Sequence, residues 1–257
     1  MEPVFGQLLA TLLAMWWPFV RLLAMLSFMP VVGENMVPVT VRVLLALALA
    51  VVLLPVAQPP MPITPFSMLG ILTTIEQVVI GLIIGLSFQL IMAVFTLLGF
   101  MASSQMGLSM AVMNDPMSGV SSDVVSTLLY VMSILVFFAV EGHLVFNGVM
   151  GSSFKSWPVG GGIPQVALDM LPLQVAWVFS AALLLALPVV FSALVVQIGF
   201  GLLNRIAPAF NLFSLGFSLI IVFGLFMLSG LVRYIPEQYV RLTSRVLHML
   251  EQMMGAR

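Results

Sequence analysis

The sequence predicts an all-α, multi-spanning membrane protein, and three observations predict it. Of the 257 residues, 62% are hydrophobic and only 7% are charged, where a soluble domain carries about 25% charged residues. So few charges cannot cover a water-facing surface, whereas lipid tails solvate apolar side chains directly. The apolar residues fall into about six runs, most of them near the ~20 residues that a helix needs to cross the hydrocarbon. No polar stretch is long enough to fold separately, so residues 1–257 read as a single membrane domain. Net charge is −1 and Cys is absent. The first gives no case for nucleic acid; the second removes disulfides, thiolate metal sites and Cys nucleophiles.

The first run is Leu8–Val32, with Pro18 and Arg21 inside it. The preceding Met1-Glu2-Pro3 lacks the positive n-region and small-residue cleavage site of a secretory signal, so this run is expected to be retained as a span. The second, Val43–Val56, is short, even if extended back to Val37. The third is Val78–Met101, where Gly81-x-x-x-Gly85 either admits a close helix neighbour or arises by chance. The fourth is Val124–Met150, the fifth Leu173–Leu203 and the sixth Leu212–Leu231. The fifth would be about 46 Å long as a straight helix, against a ~30 Å hydrocarbon core. It must tilt strongly, kink at Pro188 or leave the bilayer. The helices are therefore expected to be kinked and overlong.

The connectors differ in kind. Pro55, Pro59, Pro60, Pro62 and Pro65 make a stiff extended linker, because each ring fixes φ and removes an N–H. Residues 102–123 are polar, small-residue rich and Met-rich, and Met101, Met106, Met110, Met113 and Met117 recur every three to five residues. Methionine fills irregular gaps, so this loop is expected to lie against protein. Gly151–Pro172 contains Gly160-Gly161-Gly162 and is expected to break the helix. Residues 204–211 turn at Pro208. After Pro236 the tail is amphipathic, with Arg241, Arg245, His248 and Gln252 on one face and Tyr239, Leu242, Val246, Met249 and Met253 on another. It either lies on the membrane or docks on a partner. Arg233, Arg241, Arg245 and Arg257 are the densest positive cluster and place the tail in the cytoplasm.

Charges inside apolar runs are expensive. Arg21, Glu76, Glu141 and Arg205 are such charges, and serve either inter-helix and inter-subunit pairing or an ion pathway. Glu141-Gly142-His143 is no metal site, since residues i and i+2 point about 200° apart on a helix. Ser109 imitates a nucleophile elbow, but Ala111 stands where that motif needs Gly. No catalytic, cofactor or metal site is predicted, and the chain reads as a non-enzyme.

The order of short motifs carries a resemblance. Trp17-Pro18-x-x-Arg21 is followed by Pro30-x-x-Gly33 and Val37-Pro38-x-x-Val41-Arg42. Then come Gly107-Leu108-Ser109-Met110-Ala111, Asn114-Asp115-Pro116, Gly142-His143, and Ser153-Phe154 ahead of Pro158. Asn204-Arg205-Ile206-Ala207-Pro208 and Asn211-Leu212-Phe213-Ser214-x-Gly216 close the series. Across nearly its whole length the chain resembles the FliR family of flagellar export-gate proteins, whose injectisome relatives are called SctT. The turn from Arg205 through Pro208 to Asn211, with Gly216, resembles the flagellar branch, although Ser218 stands where many members carry Pro.

The resemblance implies a structural, pore-forming subunit of a type III protein export gate at the flagellar basal body in the bacterial inner membrane. Part of the assembly would project to the periplasmic side. It implies FliP-like, FliQ-like and FlhB-like partners, unfolded export substrates and surrounding lipid, and no cofactor. It implies a FliP-like part over 1–172 with a pore loop at 102–123, a FliQ-like hairpin over 173–231 and a basic amphipathic tail over 232–257. Gly107, Leu108, Ser109, Met110, Met113, Asn114, Asp115 and Pro116 would form the plug. Arg21, Glu76, Glu141 and Arg205 would pair charges between subunits, and Arg241 and Arg245 would dock the FlhB-like subunit. The alternative reading is a multi-pass ion or small-molecule transporter. A transporter should show paired halves with matching broken helices, and the sequence shows none.

Overall fold

The computed structural model describes residues 2–33, 37–57, 63–108, 123–206 and 212–255. These residues form helices and turns only. In chain order the helices are α1 (Glu2–Phe28), α2 (Val39–Leu53), α3 (Met68–Gln105), α4 (Val124–Ala139), α5 (Gly142–Ser156), α6 (Gln165–Ile206), α7 (Leu212–Val232) and α8 (Ile235–Gly255). The all-helical outcome follows from the medium, since a helix satisfies its backbone polar groups within one segment.

Three helices are long and apolar enough to cross a membrane unaided: α1 over Thr11–Phe28, α3 and α6. Two bent pairs pass the same test only when joined, α4 with α5, bent by 71°, and α7 with α8, bent by 59°, so the spans number three, or up to five if each pair counts as one. Helix α2 has 15 residues and falls short. The chain is thus a multi-spanning all-α membrane protein.

Several boundaries depart from the sequence reading. The run Val124–Met150 is two helices, broken where Glu141 adopts φ 55°. Glu141 is thereby placed at an exposed corner rather than inside a span. The Gly151–Pro172 connector shrinks to residues 157–164, because α5 runs on to Ser156 and α6 begins at Gln165. Pro172 and Pro188 each remove one helical N–H, yet α6 continues through both. Helix α3 begins ten residues before the expected Val78, which places Glu76 and Gln77 on it.

The chain divides into two compact units. The first comprises Met1–Leu90, Phe137–Gln174 and Thr243–Arg257. In it α1 and α3 pack backbone to backbone. A Cβ on Gly81 would sit 2.4 Å from the Arg21 carbonyl oxygen, and one on Gly85 would sit 2.6 Å from that of Met25. The GxxxG spacing is therefore a real contact. Trp17, Ala57, Phe154 and Val159 close the core there, with Leu53 and Ile63 beside them.

The second unit comprises Ile91–Val136 and Val175–Leu242. Helix α6 contributes Val178, Ala182, Ala186, Val189 and Ala193, buried at helical spacing. Small residues on such a stripe allow close packing without polar glue. On its other side Leu184, Phe191, Val195 and Ile198 are exposed, as a lipid-facing or partner-facing surface requires. Phe95 of α3 stacks on Tyr239 of α8 at 6.0 Å between ring centroids.

Candidate functional site

Two places gather polar or irregular residues in an otherwise apolar fold. The first is a buried network in the first unit. Arg21 sits on α1, between Trp17 and Met25 on the same buried face. Its side chain is 0% exposed, so its donors must be satisfied by protein. Its Nε–H donates to Gln77 Oε1 at 2.8 Å. One terminal nitrogen donates to Ser153 Oγ at 3.3 Å and the other to the Trp157 carbonyl at 2.8 Å. The guanidinium also lies over the Phe154 ring, 4.0 Å from its centroid, a cation–π contact.

Glu76, one residue before Gln77, is also buried, at 6% exposure. Its Oε1 accepts from Gln77 Nε2 at 3.0 Å and from the Gly160 N–H at 3.0 Å. Its Oε2 accepts from the Gly162 N–H at 3.1 Å. Gly160 and Gly162 have φ values of 80° and 91°. That left-handed backbone is open to glycine at no steric cost, and it turns both N–H groups onto one carboxylate. Arg21 and Glu76 thus belong to one chain of hydrogen bonds through the Gln77 amide, without a direct ion pair. The network ties α1, α3, the end of α5 and the 157–164 loop together. Among the described residues, Arg21 and Glu76 are its charged members, and its bonds act as a structural clamp.

Gln77, Ser153, Trp157 and the two glycines were missed by sequence reasoning. The available signal was weak: a lone buried carboxylate and a Gly-x-Gly loop that needs a reason to be ordered.

The second place is the Met-rich connector. Helix α3 stops with a Schellman motif. The Gly107 N–H donates to the Ser104 carbonyl at 3.1 Å and the Leu108 N–H to that of Ser103 at 3.1 Å. Gly107 takes φ 76°, as the position after such a helix end requires. Asp123 then caps α4. Its Oδ2 accepts from the Ser126 N–H at 3.3 Å and from Ser126 Oγ at 2.8 Å. Ser126 Oγ lies 3.0 Å from the Thr96 carbonyl of α3 as well. Both ends of the connector are therefore pinned to α3. Of the predicted plug residues, Gly107 and Leu108 form this cap. Ser109, Met110, Met113, Asn114, Asp115 and Pro116 lie outside the described residues.

The remaining predicted residues do not join either place. Glu141 is exposed at the α4–α5 corner, and Arg205 is exposed on the last turn of α6. Arg241 pairs with Glu237 at 3.3 Å, both well exposed, a pair worth about 0–1 kcal/mol. Arg245 lies on the same exposed face of α8. Opposite it Tyr239, Leu242, Val246, Met249 and Met253 are buried, so the two-faced character read from the sequence is present. Among the described residues no group of His, Cys, Asp and Glu could hold a metal ion.

Comparison with known proteins supplies a family. A model of the family described as bacterial export proteins, family 1, matches residues 12–246. The chain is similar to the flagellar biosynthetic protein FliR of Pectobacterium carotovorum subsp. carotovorum, at 34% identity over 91% of this chain and 90% of that one. It is 29% identical to the flagellar biosynthetic protein FliR of Escherichia coli K12, over 95% of this chain and 94% of that one. It is 24% identical to the Yop proteins translocation protein T of Yersinia pestis, over 76% of each chain.

Proposed function

This chain belongs to the bacterial export proteins of family 1, the family that holds the flagellar FliR proteins, and from that premise we propose that it is a pore-forming subunit of the flagellar export gate. Membership makes it a membrane-embedded component of flagellar export, acting with other export components and not as an enzyme. The finer reading is that it lines the path by which unfolded substrates cross the inner membrane. FliP-like, FliQ-like and FlhB-like subunits would complete the gate, with part of it projecting to the periplasmic side. Residues 1–172 would stand for a FliP-like part and 173–231 for a FliQ-like hairpin.

The observation that carries this reading is the pinned connector. Here a helix stop at Gly107 and a cap at Asp123 fix both feet of residues 109–122 on one helix. The sequence between them supplies Met110, Met113 and Met117, side chains that fill an irregular constriction and repack as a substrate passes. A hydrophobic constriction also excludes water and ions by dewetting, which a resting membrane needs.

Deleting Ser109–Met117 tests the plug. Cells expressing the deletion are expected to lose membrane potential, read with a potential-sensitive dye, while a native gel shows the complex intact. An assembled deletion complex that stays ion-tight would place the seal elsewhere. Purification in mild detergent with mass analysis tests the partners: a stable monomer without companions would overturn the gate assignment.

A further inference from the structure

At the bend between α7 and α8 the second unit holds an apolar cavity of about 450 Å³. Its floor is built from the buried Phe95 and Leu98 of α3, and the exposed Leu184 and Pro188 of α6 line its open side. Its rim carries Arg233, Tyr234 and Gln238. Arg233 and Tyr234 are the two-residue turn that joins the helices, and both are exposed. Neither side chain has a polar partner among the described residues. Arg241, by contrast, is engaged with Glu237, so Arg233 is the uncommitted cation at this cavity. Gly230 lines it too, and a Cβ there would meet nothing within 4 Å.

We propose that this cavity is a binding site for one anionic phospholipid, with an acyl chain on the apolar floor and the phosphate on Arg233. The volume falls within the ~300–1,000 Å³ of small-molecule sites. Position agrees with chemistry. Helix α7 is apolar along its length, α8 is two-faced, and the turn between them sets an Arg and a Tyr side by side. That pairing marks a membrane–water interface. Basic pockets between membrane helices take anionic headgroups. A peptide segment is a poorer occupant, because its N–H and C=O groups would meet a lining of Phe, Leu and Pro side chains. An acyl chain brings no such groups. The proposal rests on membrane embedding alone and stands apart from the plug.

The test uses the chain purified with its co-expressed export components, stripped of lipid, then titrated with phosphatidylglycerol or phosphatidylethanolamine in micelles. Retained lipid is read by native mass spectrometry. Wild type is expected to retain phosphatidylglycerol in preference. Arg233→Gln should lower that retention roughly fivefold, the effect of one cation near an anionic headgroup, while Arg233→Lys keeps the preference. Gly230→Leu adds its side chain in open space on a helix, so it should fold normally and lower retention of both lipids. Excess inorganic phosphate should displace neither. Equal retention by wild type and Arg233→Gln overturns the proposal, as does displacement by phosphate alone. Crosslinking of a Gly230→Cys variant to a neighbouring subunit, with no lipid retained, would assign the cavity to a protein side chain instead.

Discussion

Arg21 is matched by an amide, a hydroxyl, a carbonyl and a ring, and reaches its nearest acid only through Gln77. Removing it leaves the Gln77 and Trp157 oxygens buried without their donor. Each such orphan costs about 1–3 kcal/mol. Arg21→Met, which keeps most of the side-chain volume, is therefore expected to destabilise the chain by roughly 3 kcal/mol, read as a lower melting temperature in detergent. Arg21→Lys can keep one or two of the bonds and should fall between. Arg205 contrasts with it, being exposed at a helix C-terminus, where a cation is worth only about 0.3–1 kcal/mol. Arg205→Ala should barely move the melting of the isolated chain. If Arg205 pairs with a neighbouring subunit, the same change lowers complex yield and motility; wild-type assembly would make it a membrane-interface anchor. The sequence showed both buried charges, Arg21 and Glu76, because a charge in an apolar run stands out. It could not show their connection. Gln77 and Ser153 lie 56 and 132 positions from Arg21, and neither is unusual where it stands.

The apolar runs were legible because a spanning helix needs a long uninterrupted apolar stretch, and the medium enforces it. Their ends were not. Leu, Val and Phe continue through the α4–α5 corner, so only the φ of Glu141 reveals the break. Asp169 and Pro172 read as loop, yet they lie within α6. Pairing was half legible: Gly81-x-x-x-Gly85 suggested a close neighbour, and only the fold identifies it as α1. A leucine at Gly81 would collide with the α1 backbone rather than with a movable side chain. Overpacking of that kind costs about 1–3 kcal/mol. Gly81→Leu is expected to lower the melting temperature and disturb the Arg21 hydrogen bonds, since the collision is with the Arg21 carbonyl itself. Leu86, half-buried on the same helix, should tolerate a change to Met, and a matching loss there would show that α3 as a whole is intolerant.

At the scale of the molecule, the side of the membrane is the open quantity that one experiment fixes. The absence of native Cys makes accessibility labelling clean. Single cysteines at Arg245 and Gln252, both on the exposed face of α8, are expected to react from the cytoplasm, as the positive-inside rule places them. Reaction only from the opposite side would invert the topology and remove any docking role for Arg241 and Arg245. Helix α6 carries a further consequence. Its 42 residues measure about 63 Å. Even at a tilt of 40°, the upper end of the usual range, it would rise about 48 Å along the membrane normal, well beyond a ~30 Å hydrocarbon core. One end of it must then leave the lipid while still bearing residues such as Leu202 and Ile206 or Val166 and Leu168, exposed on this chain. An orphan copy is therefore out of place in every solvent the cell offers, too long for the bilayer and too greasy for the water beside it. Only neighbours of similar height can shelter what protrudes.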